Sequence, residues 1–525
     1  MKTPSNDLFA LISSMSKDEK HFFRKFVSIH AEEANVPKNY LMLFNAIEEQ
    51  TEGEGNYDEK KIKEEFSGKK FIVQLHVTKI YLEGLILKSL FLKMNDSSSR
   101  FRIKKLINDA DILFAKGLYM HCSKKLQSAK KLAYQTEFFD FLLQIISLEI
   151  DNENRKFNMF KRKEYSNAGL YSEYKKVLSL ADNHNSYEEI SNKMFAFYLA
   201  YIKGQDVTAS KEFKELYANP FLKDSGKALS YRAKMMFHLA KSHIYTITRE
   251  FIKDYKNQKL HLHLMEQNSE TGSRRYLSVY NNFLSTLHSL KKFNELNERL
   301  DHLKNIKLPE QKKEAVQNSA MQFRMYYLNK ILLLTESGNS KELVSEIDKL
   351  AEGLRVYSKY ISGAFMVNLT YGLSFVYFTA DKFSEALFYA NKILNDKNAE
   401  TVQPFYSDTI ILSLAIHFEL GNKQLLEYSV KPSENRIKKM TGKITKPQKI
   451  FLKFLQKYSV TSNNAQERKL LENTLIELKA YNRELKDSSQ KIYLQFLEVI
   501  SWIESKLNNE SYCEVLGRKF KKINS

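Results

Sequence analysis

SFVYFTADKFSEALFYANKIL, Ser374 to Leu394, decides the fold. Its first half closes an uncharged run, Tyr360–Ala380, about the length of a membrane-spanning helix. Its second half reads as the return helix of a hairpin: a polar turn, TADK, then apolar residues at helical spacing with Ala386 and Ala390 among them. The uncharged run carries Ser362, Asn368, Thr370, Ser374 and Thr379, plus Gly363 and Gly372, and those polar groups weaken insertion into lipid. The turn and the small-residue helix behind it supply what a hairpin needs and a lone span lacks. We therefore expect a buried first helix of a soluble array and no membrane span. The missing charge then reports burial between neighbouring hairpins.

Tyr377 also falls on a rhythm. Polar turns recur as KGQD (203–206), HSLKK (288–292), ESGN (336–339), TADK (379–382), ELGN (419–422) and VTSNN (460–464). The large residues closing each first helix are Tyr201, Tyr245, Leu287, Leu334, Tyr377, Phe418, Tyr458 and Trp502, spaced by 44, 42, 47, 43, 41, 40 and 44 residues. A near-constant period of this size means stacked supersecondary units, here helix–turn–helix. No clean turn follows Tyr245. Upstream, KGLYMHCSKKLQSAKKLA (116–133) reads as one more turn and second helix, and DNENRKFNMFKRKE (151–164) breaks the rhythm as an extended helix or an inter-repeat loop.

Residues 1–94 form a helical N-terminal module, ahead of an α-solenoid over 100–525 with a period of about 40–47 residues. Ser16-Lys17-Asp18-Glu19 is a capping box that opens a helix carrying Phe22, Phe23, Phe26 and Val27. A second helix covers 39–50, TEGEGN (51–56) is a loop, and a short helix over 58–66 stops at Ser67-Gly68. The helix over 71–94 is apolar on nearly all sides, which predicts burial in the middle of a bundle. Asn95–Ser99 reads as a linker.

The chain has 525 residues, too many for one compact core, and only 7 Pro and 16 Gly, so long helices are the default and the fold class is all-α. The net charge is +20, distributed as 0, +4, +7 and +1 over successive hundreds and +8 over the last 125 residues. Such a surface attracts polyanions or acidic partners, although interspersed Glu and Lys also describe ordinary solvated helix faces. Cys122 and Cys513 stand alone, which excludes a disulfide framework and fits a reducing, cytoplasmic setting. The first twenty residues lack the continuous apolar segment of a secretory signal.

At 367–400 the sequence resembles the tetratricopeptide repeat. Leu373-Ser374, Tyr377, the turn Asp381-Lys382-Phe383, Ala386, Ala390 and Ile393-Leu394 carry the likeness. Small residues at 374, 386 and 390 let two helices approach, while Leu373, Tyr377, Phe383 and Leu387 fill the seam. The other repeats are degenerate, and the period exceeds that family's 34 residues, so the resemblance is to a longer relative of that hairpin. LISSMSKDEKHFFRKF, YLEGLILKSLFLK and KGLYMHCSKKLQSAKKLA also resemble uncharacterised helical-repeat proteins of bacteroidete-type bacteria. The tetratricopeptide resemblance implies an α-α superhelix whose first helix turns Asn368, Tyr371, Phe375 and Phe378 toward a concave groove for a peptide or partner helix. The alternative is that these four pack against the next hairpin.

No catalytic motif emerges: there is no P-loop, GxGxxG, HExxH, GxSxG or CxxC. His261 and His263, two apart on a helix, make a poor metal pair and read as surface residues; His238 and His243, five apart, are no better. No carboxylate stands isolated in apolar company. We expect no enzyme, no metal and no cofactor. The densest basic run is 431–457, with Lys431, Arg436, Lys438, Lys439, Lys443, Lys446, Lys449, Lys453 and Lys457 against Glu434 alone. It is either a patch for RNA, DNA or an acidic protein, or a solvated loop and helix face. A helix-turn-helix in the N-terminal module is disfavoured, because its second helix is too apolar for a DNA groove. The leading expectation is a scaffold that presents a groove to a protein or peptide. The runner-up is a nucleic-acid-associated or regulatory protein using the basic C-terminal half.

Overall fold

The computed structural model describes residues 6–34, 39–52, 57–94, 98–160, 167–202, 205–308, 312–402, 405–442, 444–484, 493–494 and 497–524. Apart from one two-residue antiparallel ladder, which pairs Tyr493 with Glu498 and Leu494 with Leu497, these residues form helices and the turns between them. The fold is all-α, built of helices that pair with their neighbours in sequence. The chain divides into two compact units, residues 1–190 with 223–236, and residues 191–222 with 237–525.

In the first unit, α1 (Asp7–Ser14), α2 (Lys17–Ala34) and α3 (Asn39–Glu52) precede α4 (Glu59–Glu65), α5 (Lys70–Val73) and α6 (Leu75–Met94). The capping box is formed: Glu19 N–H donates to Ser16 Oγ at 3.2 Å and Ser16 N–H to Glu19 Oε2 at 2.7 Å. Asp58 caps α4, and Gly68, at φ +84°, ends the turn behind it. Phe23, Phe44, Ile47, Leu82 and Ile86 meet in the core of this module. The long helix expected over 71–94 is broken at Gln74, and it is not buried all round. Its principal neighbours, α1, α2, α3 and α5, cover the face of Leu75, Leu82 and Ile86 and leave Val77, Ile80 and Leu87 in the open. The linker expected at 95–99 lies outside the described residues up to 97, and so does the loop at 51–56 from 53 onward.

A separate core in the same unit joins α7 (Ser99–Ala115), α8 (Tyr119–Thr136), α9 (Phe139–Phe160) and the start of α10 (Ala168–Ile202) through Ile107, Leu126, Ala129, Leu142 and Ile146. The turn and second helix expected at 116–133 are Gly117, at φ +72°, and α8. The break in rhythm after 151 is an extended helix as far as Phe160.

The remaining helices are α11 (Lys211–Tyr217), α12 (Tyr231–Ile247), α13 (Phe251–Gln267), α14 (Arg274–Ser289), α15 (Phe293–Asn305), α16 (Lys312–Glu336), α17 (Ser340–Val344) and α18 (Ile347–Tyr357). After them come α19 (Gly363–Thr379), α20 (Phe383–Leu394), α21 (Phe405–Glu419), α22 (Lys423–Thr441), α23 (Lys446–Ser459), α24 (Asn464–Glu484), α25 (Val499–Asn508) and α26 (Tyr512–Asn524).

The sequence rhythm is a rhythm of helix caps. Tyr245, Leu287, Leu334 and Tyr377 each accept, on the backbone carbonyl, an N–H from five residues on: Glu250 at 2.8 Å, Lys292 at 2.9 Å, Asn339 at 2.8 Å and Lys382 at 2.9 Å. The residue before each donor is left-handed: Arg249, Lys291, Gly338 and Asp381, at φ +58°, +56°, +71° and +58°. This is the Schellman closure. ELGN closes alike, with Asn422 donating to His417 at 3.0 Å, one residue from the expected Phe418. Tyr245 thus has its turn after all, closed at Arg249 as the others are at Lys291, Gly338 and Asp381.

α19 is the buried first helix expected of it. A Cβ on Gly372 would lie 2.9 Å from Ile331 Cδ1 of α16, and Ser374 Oγ donates to the Ala386 carbonyl of α20 at 2.8 Å. Ser374, Ala386 and Ala390 are fully buried. Tyr377, Phe383 and Leu387 pack against the core they help to close. Among the described residues no helix is long and apolar enough to cross a membrane.

The end of the chain does not extend the rhythm. Trp502, the last spacing anchor, turns back onto Phe418, Phe451 and Phe454, with ring centroids 5.0, 5.6 and 6.1 Å away, and its indole N–H donates to Glu419 at 2.6 Å. α26 then returns along the hairpin turns. Tyr512 meets Phe378 edge-on at 6.1 Å, and the Cys513 thiol donates to the Thr379 carbonyl at 2.7 Å. Further along, Phe520 packs on Phe293 at 4.7 Å. Gly338 makes this possible: a Cβ there would sit 2.3 Å from the Cys513 carbonyl oxygen.

Candidate functional site

The four groove residues inferred from the repeat resemblance do not line an open surface. Tyr371, Phe375 and Phe378 are no more than 1% exposed and belong to the core shared with α21, α23 and α25. Tyr371 meets Phe405 at 6.1 Å, Phe375 stacks beside Phe378, and Phe378 is covered by Phe383 and Tyr512. The reason is that α19 has helices on several sides, with α16, α20 and α21 all against it. Asn368 is half-buried, and its Oδ1 has no hydrogen-bond partner among the described residues.

An open cleft lies one hairpin further on. Leu394, Ile410, Leu414, Tyr428 and Pro432 enclose about 370 Å³ beside His417 and Arg436. Tyr428 is 77% exposed at its edge. Proline inside α22 removes one helical N–H and leaves the carbonyl a turn earlier without its usual donor. Burial holds His417 below the usual histidine range, and its Nδ1 meets the Asn422 side-chain amide at 3.1 Å. Arg436 donates to the Tyr406 hydroxyl at 2.5 Å, lies over that ring, and pairs with Glu400 at 3.5 Å.

The basic run is split by the fold. Arg436 belongs to the cleft, and Lys431 pairs with Glu434 at 3.8 Å. Lys438 and Lys439 are exposed in the last turn of α22, and Lys443 lies outside the described residues. Lys446, Lys449, Lys453 and Lys457 form one exposed row on α23, opposite buried Phe451, Phe454 and Leu455. Lys446 also reaches over Tyr481 at 4.6 Å. α23 packs against α22, so the lysine row neighbours the helix that walls the cleft.

A third cluster was not legible in sequence. His261 is not on the surface: it is 2% exposed and stacks on His238 at 5.5 Å. His238 Nδ1 meets Asn257 Oδ1 at 2.8 Å, and Asn257 in turn donates to the His238 carbonyl at 2.9 Å. One turn along α12, His243 stacks on Tyr198 at 5.1 Å. Asp254, also 2% exposed, accepts from the Thr286 hydroxyl at 2.7 Å, and Gln258 bridges toward Ser242 at 2.5 Å. Burial pushes Asp254 up to about 6 and His243 and His261 down to about 4 and about 3. Asp254 is thus a carboxylate in desolvated company of the kind the sequence did not reveal. The cluster arises across a hairpin, from α12, α13 and α14, so no spacing within one helix announces it. Apart from Tyr198, each of these side chains is under a tenth exposed, and no group of three His, Cys, Asp or Glu among the described residues has the arrangement of a metal site.

No protein-family model matches the chain, and no curated protein matches it.

Proposed function

We propose that the chain is a non-catalytic interaction scaffold, a tetratricopeptide-like array that holds an acidic segment of a partner protein along α20–α23. The observation that carries this is a juxtaposition. An open, mostly apolar cleft with an arginine at its edge lies against a helix whose neighbour shows four lysines in a row. An aliphatic or aromatic side chain would fill the cleft. Partner carboxylates would take Arg436 from Glu400 and meet Lys449, Lys453 and Lys457, a pattern that gives orientation as well as attraction. The groove expected on α19 is replaced by this surface, because the α19 residues are spent on the core. The reading takes the protein to be cytoplasmic, in keeping with two buried free thiols, Cys122 and Cys513.

A second reading, a nucleic-acid-associated protein, is favoured by the lysine row alone. Such binding would be sequence-tolerant and would collapse as salt rises. Affinity capture from native cell extract separates the two. One protein retained after nuclease treatment and moderate salt supports the scaffold. Recovery of heterogeneous RNA or DNA, with no protein surviving nuclease, contradicts it.

A further inference from the structure

We infer that the open face of α6 is a self-association surface, which takes the same helix of a second copy of this chain in antiparallel, two-fold contact. Val77, Ile80, Gly84, Leu87 and Phe91 follow one another at alternating spacings of three and four, the seam of a coiled coil, and Val73, beyond the break at Gln74, is exposed as well. These are not core residues. Val73 is 87% exposed, Val77 60%, Ile80 58% and Leu87 50%, with Tyr81 and Leu92 open beside them. A Cβ on Gly84 would meet nothing within 4 Å, so the stripe has an empty socket in its middle.

Three observations favour a second copy as the occupant. First, the patch is large: on α6 alone Val77, Ile80, Tyr81, Leu87, Phe91 and Leu92 are each more than a third exposed, a run of apolar surface of the kind that marks an association site. Second, the stripe is self-complementary. Antiparallel pairing places Ile80 over the partner helix's glycine socket and Val77 against its leucine, a larger side chain facing a smaller one in each layer. Parallel pairing would set two glycines in one layer and leave a hole. Third, the charge permits it. Residues 1–94 hold fourteen Lys and Arg and fourteen Asp and Glu, zero net in a chain of +20. Two copies meet here without the repulsion of the basic half, and an anionic membrane or nucleic acid finds no net attraction.

The test uses the full chain. Light scattering after size exclusion at micromolar concentration is expected to give twice 61.6 kDa, falling to 61.6 kDa on dilution. Ile80→Glu is expected to be monomeric at every concentration with unchanged helicity. Gly84→Gln is the sharper variant. Glutamine favours helix over glycine, and in the monomer its Cβ meets nothing within 4 Å, so the melting temperature holds or rises while the dimer is lost. A Val77→Cys, Leu87→Cys double variant is expected to cross-link between copies under oxidation, whereas neither single variant does. A monomeric wild type, a dimer that survives both Ile80→Glu and Gly84→Gln, or single-cysteine variants that cross-link each overturn the proposal. So does an Ile80-dependent association with anionic vesicles by a chain that stays monomeric in solution.

Discussion

Lowering the pH from 7 to 5 is expected to loosen the α12–α13 pair from within. A histidine that titrates at 6.5 when unfolded and at about 3 or about 4 when folded takes up its proton mainly after unfolding. Its stabilisation is whole above pH 6.5 and is lost as the pH falls through the interval below. From pH 7 to 5 that loss is about 2 kcal/mol for each of His261 and His243. Asp254 has the opposite sign. Its folded value is raised from 3.8 to about 6, so the folded state holds the proton more tightly and recovers about 1 kcal/mol over the same fall. The net local loss is about 2 to 3 kcal/mol, on the order of a fiftyfold increase in opening. Backbone amide exchange of peptides from α12 and α13, corrected for intrinsic rates, reads this directly, and exchange at the histidine ring C2 position reads the titrations. His261→Asn is expected to shrink the pH effect to under about 1 kcal/mol, and Asp254→Asn to add about 2 kcal/mol of local stability at pH 7. A His261 that titrates near 6.5, or α12 and α13 equally protected at both pH values in the wild type, would refute the reasoning.

Two further outcomes test the return of the C-terminal hairpin. Gly338→Val combines a left-handed β-branched residue, costing roughly 1–2 kcal/mol, with a clash against the Cys513 carbonyl, so α26 should lift. Maleimide labelling of Cys513 is then expected to accelerate at least tenfold, estimated from that cost, while Cys122 serves as the unaffected control; unchanged Cys513 labelling counts against the packing described. Trp502→Ala empties the site among Phe418, Phe451 and Phe454 and is expected to cost about 3–5 kcal/mol in urea unfolding followed by circular dichroism. Trp502→Phe, which loses chiefly the bond to the Glu419 carboxylate, is expected to cost about 2 kcal/mol.

Local signals were legible in the sequence, and contacts between elements were not. The turns at 288–292, 336–339, 379–382 and 419–422 could be read because each ends a helix with a short polar stretch. The turn after Tyr245 was missed, although Arg249 takes the same left-handed conformation as Lys291 and Asp381. Ser374, Ala386 and Ala390 announced a close hairpin because small residues have few other reasons to recur at that spacing. The same reasoning misplaced Tyr371, Phe375 and Phe378. Whether the outer face of a first helix is groove or seam depends on how many helices lie against it, and α19 has four, α16, α17, α20 and α21. The histidine cluster and the backward course of α26 join residues far apart in sequence, such as Phe293 and Phe520, and leave no periodic trace. On α6 the apolar pattern was seen, but hydrophobicity alone does not say whether a face is covered.

The central claim, that a partner protein is held along α20–α23, is tested most directly at the cleft edge. Full-length protein, wild type and a Tyr428→Ala, Arg436→Glu double variant, is used to capture partners from nuclease-treated native extract, with a parallel set carrying Lys449→Glu, Lys453→Glu and Lys457→Glu. Tyr428 and the three lysines are exposed, and because Arg436→Glu also gives up the contacts to Tyr406 and Glu400, an unchanged melting curve of the cleft variant accompanies the capture. The account predicts one protein retained by the wild type at moderate salt, lost with the cleft variant and weakened at least tenfold by the lysine reversals, as expected when several charge pairs each contribute about 1 kcal/mol. Capture that is indifferent to the cleft variant, or that vanishes altogether with nuclease, would contradict it.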